Sequence, residues 1–136
     1  MTIEYYFGTL QQSSVEAWKE HLKTDKYSKH KALNEFYDEI VELVDTLIED
    51  YIGIYGKPKD FKNQMMPDDS GVIKYLENLR LFVLDGREEL IDKKDTELWS
   101  DIDAILSLID KTLYQLKELK ESSFKSLVEF INESLR

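Results

Sequence analysis

The feature that most constrains this fold is an apolar stripe that repeats every three or four residues for five turns, between Ser28 and Ile52. This spacing matches the 3.6-residue period of an α-helix and places the apolar side chains on one face. The positions of the stripe are Leu33, Phe36, Tyr37, Ile40, Leu43 or Val44, Leu47, Ile48 and Tyr51. Residues 28–52 are therefore predicted to form one long amphipathic helix of an all-α protein.

The same kind of spacing predicts four further helices, over residues 10–24, 71–91, 96–119 and 123–135. The first of these is expected to turn four apolar side chains toward the core: Leu10, Val15, Trp18 and Leu22. Ser13 or Ser14, followed by Glu16, resembles a capping pattern at its start. Asp68, Asp69 or Ser70 offers an N-cap for the third helix.

The connection between the second and third helices, residues 53–70, contains both prolines and has no sustained apolar period. A connection of this length lets the third helix run parallel to the second instead of folding straight back. The chain has 136 residues, the usual size of one domain. We therefore predict a single domain, residues 1–136, built as a four-helix bundle with one long crossover and a short C-terminal helix.

Composition removes several classes of function. The chain has no cysteine, which excludes disulfides, thiolate zinc sites and cysteine nucleophiles. Its N-terminus lacks the basic and apolar regions of a signal peptide, and its longest apolar run is far too short to span a membrane, so a cytoplasmic location is expected. The net charge of −10 repels phosphate backbones and argues against nucleic-acid binding.

Candidate metal ligands gather around the first helix junction and along the second helix. The only two histidines, His21 and His30, lie near the junction, and a polar stripe then runs beside the apolar one through Asn34, Asp38, Glu42, Asp45 and Glu49. Asp45 and Glu49 are one turn apart and can hold a hard cation together. A solvated helix face is the alternative interpretation. No Glu-x-x-His pair is present, so a conventional di-iron bundle is not predicted.

The segment from Glu16 to Tyr51 resembles the first two helices of the Dps-like branch of the ferritin superfamily. It is particularly similar to the short Dps-like or ferritin-like proteins that tailed bacteriophages encode. In Dps proteins one histidine ligand ends the first helix, a second histidine follows, and an Asp-x-x-x-Glu pair lies 15 residues later. His21, His30 and the segment Asp45-Thr-Leu-Ile-Glu49 match these positions.

The resemblance implies a ferritin-like bundle that binds iron, oxidises it and stores it, with no organic cofactor and no catalytic residue beyond the metal ligands. His21 of one subunit would face Asp45 and Glu49 of a two-fold partner, with His30 close by and Asp38 as a weaker candidate ligand. A homo-oligomer is implied, with a dodecameric shell as the family's form. The chain lacks the lysine-rich tail of the DNA-binding members, so DNA binding is not implied.

Two alternatives remain open at the level of sequence. The chain could be a non-catalytic structural or binding protein, of viral origin, that keeps the helical bundle without the iron chemistry. It could also be a small acidic protein that antagonises a basic or nucleic-acid-binding partner through its charge.

Overall fold

The computed structural model of the chain describes residues 1–62, 71–118 and 123–135, with backbone alone for 123–127 and 129. Its helices are α1 (Ile3–Lys23), α2 (Tyr27–Tyr55), α3 (Val72–Leu90), α4 (Thr96–Glu118) and α5 (Ser123–Ser134). These described ranges contain no strand, which confirms the all-α prediction. The buried apolar side chains of α1 to α4 form one core cluster.

Helices α1 to α4 occupy the four corners of a bundle. α1 and α4 each pack beside both α2 and α3, which leaves α2 and α3 on one diagonal. The Tyr6 hydroxyl near the start of α1 donates a 2.8 Å hydrogen bond to the Val83 carbonyl near the end of α3. The Met1 amino group similarly pairs with Glu89 at 2.9 Å. α3 is thus antiparallel to α1 and parallel to α2, as the long connection predicted.

The connection after α2 first returns to the start of α1. The Lys62 amide donates a 3.1 Å hydrogen bond to the Glu4 carbonyl, and Gly8 lies so close to the Lys62 backbone that a Cβ would overlap it. α3 begins after Gly71, at the opposite end of the bundle. The candidate N-caps Asp68, Asp69 and Ser70 lie outside the described residues.

α1 begins seven residues earlier than predicted. The Thr2 hydroxyl caps it by accepting a hydrogen bond from the Tyr5 amide. Ser13 is buried in mid-helix, where its hydroxyl donates a 2.6 Å hydrogen bond to the Leu10 carbonyl. The interpretation of Ser13 as part of a helix start was therefore wrong, because its hydroxyl bonds back to the preceding turn.

The buried stripe of α1 is also rotated from the predicted one. It runs through Tyr6, Leu10, Ser13, Ala17 and His21. Trp18 is 53% exposed and Leu22 is 68% exposed, so the prediction that they face the core was wrong. Adjacent helical residues differ by about 100° around the axis. In the second half of α1 the small Ser13 and Ala17 are therefore buried, and the larger Trp18 and Leu22 beside them point outward.

The long helix α2 follows its predicted stripe closely. Leu33, Phe36, Ile40 and Leu47 are buried against the other helices. The helix extends to Tyr55 and ends at Gly56, whose φ of 84° favours glycine. No helix in the described part of the chain is long and apolar enough to cross a membrane.

Candidate metal centre

The two histidines come together because a three-residue link, residues 24–26, joins the antiparallel helices α1 and α2. His21 lies in the last turn of α1 and His30 in the first turn of α2. Their Nε2 atoms are 3.0 Å apart and their ring centroids are 3.9 Å apart. A contact of this length is a hydrogen bond in which one Nε2 donates and the other accepts, so at least one ring carries no proton there.

Burial keeps His21 in its neutral form. The side chain is 7% exposed, and burial is the main cause that lowers its pKa, followed by the charge of His30. The Trp18 carbonyl and the Asp38 carboxylate act in the opposite direction. His21 Nδ1 makes no hydrogen bond of normal geometry within the described residues, although the Trp18 carbonyl is near it. Neutral imidazoles offer nitrogen lone pairs, the form that binds metal ions.

A series of hydrogen-bonded side chains on α2 lies on one side of the histidine pair. The ring of Tyr37 packs edge-on against His21, with 5.2 Å between ring centroids. The Tyr37 hydroxyl donates a 2.6 Å hydrogen bond to Asn34 Oδ1, and the Asn34 amide donates a 3.4 Å hydrogen bond to Asp38. Asp38 thus lies on the same side of α2 as the histidines, but its own side chain is exposed.

Helix α5 covers the other side of the pair. The Phe130 ring lies 5.7 Å from His30 and 4.9 Å from Tyr27, measured between ring centroids. The Tyr27 hydroxyl also donates a hydrogen bond to the Glu133 carboxylate. These contacts were not predicted from the sequence, because they depend on where α5 docks. They shield His30 from water on that side.

Asp45 and Glu49 do not approach the histidines within one chain. Both are exposed on α2, and 15 residues at 1.5 Å each place Asp45 about 22 Å along the helix from His30. No group of three or more candidate metal-ligating side chains occurs in the described ranges. A shared site with carboxylates from a second subunit therefore stays a prediction.

A second titratable group, which sequence reasoning missed, lies at the opposite end of α2. Asp101 of α4 forms a hydrogen bond with Asp50 there. The pKa of Asp101 is raised to about 7, mainly by burial. The hydrogen bond and charge of Asp50 and the charge of Glu97 add to this effect. Nearby, the Tyr55 hydroxyl donates a hydrogen bond to Asp95. Spacing along the sequence could not reveal this pair, because it arises from the packing of α2 against α4.

The chain is similar to an uncharacterized 14.6 kDa protein from the mobD-ri intergenic region of Enterobacteria phage T4. The two are 25% identical over 114 residues, which are 82% of this chain and 84% of the T4 protein. No solved structure is significantly similar to the chain. The family model DUF5856, described as a family of unknown function, matches residues 21–116, well over half of the chain, and the chain therefore belongs to this family.

Proposed function

We propose that this protein binds iron(II) as a substrate and oxidises it at a site centred on His21 and His30. Asp45 and Glu49 of a second copy would complete the ligand set. The observation that carries this proposal is the 3.0 Å separation of the two Nε2 atoms, in a contact that is partly buried. Each iron(II) would give up one electron to dioxygen or to a peroxide.

The geometry of the histidine pair suits an octahedral ion. With metal–nitrogen bonds of about 2.1 Å, two nitrogens 3.0 Å apart subtend an angle of about 90° at the metal. This is the angle between neighbouring positions of an octahedron, whereas a tetrahedral zinc ion would separate the nitrogens by about 3.4 Å. Two imidazoles and a carboxylate form the usual donor set of non-haem iron(II), with open positions left for an oxidant.

Protonation of the pair also supports the proposal. A bound ion needs both Nε2 atoms free of protons, which moves the ring protons to Nδ1. Burial lowers the pKa of His21, so this ring is neutral at physiological pH. Its Nδ1–H would then point toward the Trp18 carbonyl, which lies close enough to act on the pKa of the ring. Backbone carbonyls commonly hold metal-bound imidazoles in this way.

The requirement for a second copy follows from charge and distance. Two neutral imidazoles alone do not offset the charge of an iron ion, and Asp45, the nearer carboxylate of the Asp-x-x-x-Glu pair, lies about 22 Å away along α2. Within the chain, Asp38 is an acid whose charge raises the pKa of His21. It is a weaker candidate because its side chain is exposed and accepts a hydrogen bond from Asn34.

The arrangement of the helices gives independent support to the ferritin-like interpretation. Every neighbouring pair of helices at the four corners is antiparallel, and the long connection joins the two parallel helices on the diagonal. Ferritin-like bundles use one long crossover in this way. The relative from phage T4 is consistent with the predicted phage origin.

The test is aerobic addition of iron(II) to the full chain, followed by the absorbance of the ferric product. His30→Gln and the double variant Asp45→Asn with Glu49→Gln are each expected to slow protein-dependent oxidation at least tenfold. The double variant Glu35→Gln with Glu39→Gln is the matched control, since it removes the same charge from the same helix.

The possible outcomes distinguish an error in the proposed function from an error in the proposed ligands. A wild-type rate no greater than that of buffer would overturn the proposal and favour the non-catalytic binding or structural protein. Loss of activity in His30→Gln but not in the Asp45 and Glu49 variant would retain the histidine pair and reject the shared carboxylates. Equal loss in the control variant would show that net charge, not ligation, controls the rate.

A further inference from the structure

Helix α5 is attached to the bundle by far fewer contacts than the other helices. The core cluster includes no described side chain of α5, and within the described part of the chain α5 packs against α2 and no other helix. Among its described side chains Phe130 is partly buried and the others are exposed, including the apolar Val128, Ile131 and Leu135. An element that buries so little apolar surface separates from the rest of a protein at much lower cost than global unfolding.

The contacts that hold α5 lie on the first turn of α2. Phe130 and Glu133 are one turn apart on α5, and they contact Tyr27 and His30, which are one turn apart on α2. The Phe130 ring lies 4.9 Å from the Tyr27 ring and 5.7 Å from the His30 ring, measured between centroids. The Glu133 carboxylate accepts a hydrogen bond from the Tyr27 hydroxyl. The ring that attaches α5 to α2 is therefore also the ring that covers His30.

The other groups around the histidine pair belong to the core or pack on it. His21 is buried by the packing of α1 against α2 and is 7% exposed. The Tyr37 ring lies edge-on against His21 and also packs on the core cluster. Phe130 lies outside that cluster. Since displacement of a core side chain would disturb the whole bundle, Phe130 is the cover that can leave at the lowest cost.

We propose that α5 is a lid that controls access to the histidine pair. With α5 docked, Phe130 blocks the approach to His30. With α5 released from α2, a metal ion can reach both Nε2 atoms while α1 to α4 keep their arrangement. The nature of the entering ion rests on the proposed function, whereas the opening of α5 itself needs no metal.

The strength of the attachment sets how often the lid opens. One partly buried ring and one exposed hydrogen bond favour the docked form by roughly 10- to 100-fold. The open form would then be a minor state of about 1–10% of the molecules. When opening and closing are fast, a reaction that needs the open form proceeds in proportion to this population. A change that weakens the attachment should therefore speed every reaction of the histidines by the same factor.

Chemical modification of histidine tests the lid without metal. The chain has only two histidines, His21 and His30, so carbethoxylation by diethyl pyrocarbonate, measured by its ultraviolet absorbance, reports on this site alone. Tyr27→Phe removes the hydroxyl that bonds Glu133 and keeps both rings. It is expected to speed modification about fivefold, the factor that corresponds to one hydrogen bond. Because Phe130 is unchanged in this variant, faster modification requires that α5 opens more often.

Glu133→Ala removes the acceptor of the same hydrogen bond and completes a double-mutant cycle. It should speed modification as much as Tyr27→Phe, and the double variant should react no faster than either single variant, since both changes remove one interaction. Phe130→Ala removes the cover itself and should react at least tenfold faster than wild type. Unchanged rates in Tyr27→Phe and Glu133→Ala would overturn the lid.

Two control variants separate opening of the lid from other effects. Tyr114→Phe removes the hydroxyl of a tyrosine that is 62% exposed in a groove between α3 and α4, and it should react like wild type. Ile102→Val shortens a fully buried side chain of α4 and weakens the whole bundle. It should also leave the rate unchanged, since α5 opens without unfolding the core. Equal acceleration in Ile102→Val would show that the histidines react through global unfolding, and it would overturn the lid.

Metal entry separates the lid from the proposed function. Cobalt(II) alone, mixed rapidly with the full chain, reports its binding to imidazole through its visible absorbance. Tyr27→Phe is expected to bind cobalt(II) about fivefold faster than wild type, in step with its faster modification. Faster modification without cobalt(II) binding in any variant would reject the metal site and retain the lid. Equal rates of cobalt(II) binding in wild type and Tyr27→Phe would reject the lid and retain the metal site.

Discussion

Replacement of Gly86 by alanine tests the contact that orients α3 against α1. Gly86 is buried inside α3, and a Cβ there would overlap the ring of Tyr6 and lie 3.1 Å from the Met1 sulfur. The Tyr6 ring is fully buried, packs against Phe82 at 5.6 Å between centroids, and is fixed by its hydroxyl on the Val83 carbonyl. The ring cannot move aside without disturbing these contacts.

The expected magnitude comes from three opposing terms. Alanine is favoured over glycine within a helix by about 1 kcal/mol. Overpacking of a filled core costs roughly 1–3 kcal/mol, and loss of the Tyr6 hydrogen bond costs about 1 kcal/mol more. We therefore expect Gly86→Ala to lower the free energy of unfolding by about 2 kcal/mol, although the same substitution stabilises an ordinary helix.

Gly53→Ala is the matched control. Gly53 lies in the last turn of α2, and nothing lies within 4 Å of a Cβ placed there. This variant should gain about 0.5 kcal/mol, a fraction of the full helix preference because the position is close to the helix end.

Urea denaturation followed by circular dichroism measures both variants. At a slope of roughly 2 kcal/mol per molar, Gly86→Ala should unfold about 1 M below wild type. If it unfolds at or above the wild-type midpoint while Gly53→Ala behaves as expected, Tyr6 does not pack on Gly86. The antiparallel register of α1 and α3 would then be refuted.

Two further predictions concern pH. The pKa of Asp101 is raised to about 7 in the folded chain, so folding favours its protonated form, and its contribution to stability falls as pH rises from about 4 to 7. Asp101→Asn should remove this loss and raise the free energy of unfolding at pH 8 by about 1 kcal/mol. This value is smaller than the full pKa shift would give, because solvent screens a partly exposed carboxyl. An unchanged urea midpoint at pH 8 would contradict the prediction. The pKa of His21 is lowered by burial and by His30, so its contribution is present above about pH 6.5 and is lost as pH falls through the folded pKa. The charge of His30 is one cause of this lowering, so His30→Gln should reduce the fall in stability between pH 7 and 5, measured by urea denaturation at each pH. An identical fall would show that His30 does not lower the pKa of His21.

The sequence predicts α2 well because its apolar period is helical and no helix-breaking residue interrupts it. Leu33, Phe36, Ile40 and Leu47 repeat at the helical period, and all of them are buried. No glycine or proline interrupts the pattern before Gly53. The parallel direction of α3 was also predictable, since the connection is too long for a tight turn and long enough to reach the opposite end of the bundle.

α1 was predicted less well because hydrophobicity alone does not say which face of a helix is inside. Its large apolar residues Trp18 and Leu22 suggested an inward stripe, yet the bundle presses the smaller Ser13 and Ala17 into the core. Gly8 lies inside α1, and its missing side chain makes room for the Lys62 backbone. Such close approaches depend on distant residues, which local patterns do not contain.

The sequence identified the two histidines as candidates but could not pair them. Their nine-residue separation is uninformative until the link of residues 24–26 fixes the turn between the helices and brings the Nε2 atoms to 3.0 Å. The cover that α5 provides through Phe130 also needed the tertiary structure, since 100 residues separate it from His30.

The misassigned face of α1 bears directly on function. A helix with apolar side chains on two sides exposes more apolar surface than one bundle can bury, and exposed patches of this kind mark interaction sites. His21 belongs to the buried stripe of α1, and the next residue, Leu22, is exposed. It is therefore fixed by the packing of its own bundle while lying beside the surface that a second copy would cover. A metal site at this boundary would depend on the packing of one bundle and on the binding of a second copy. Assembly would then control the supply of carboxylate ligands without altering the histidine pair.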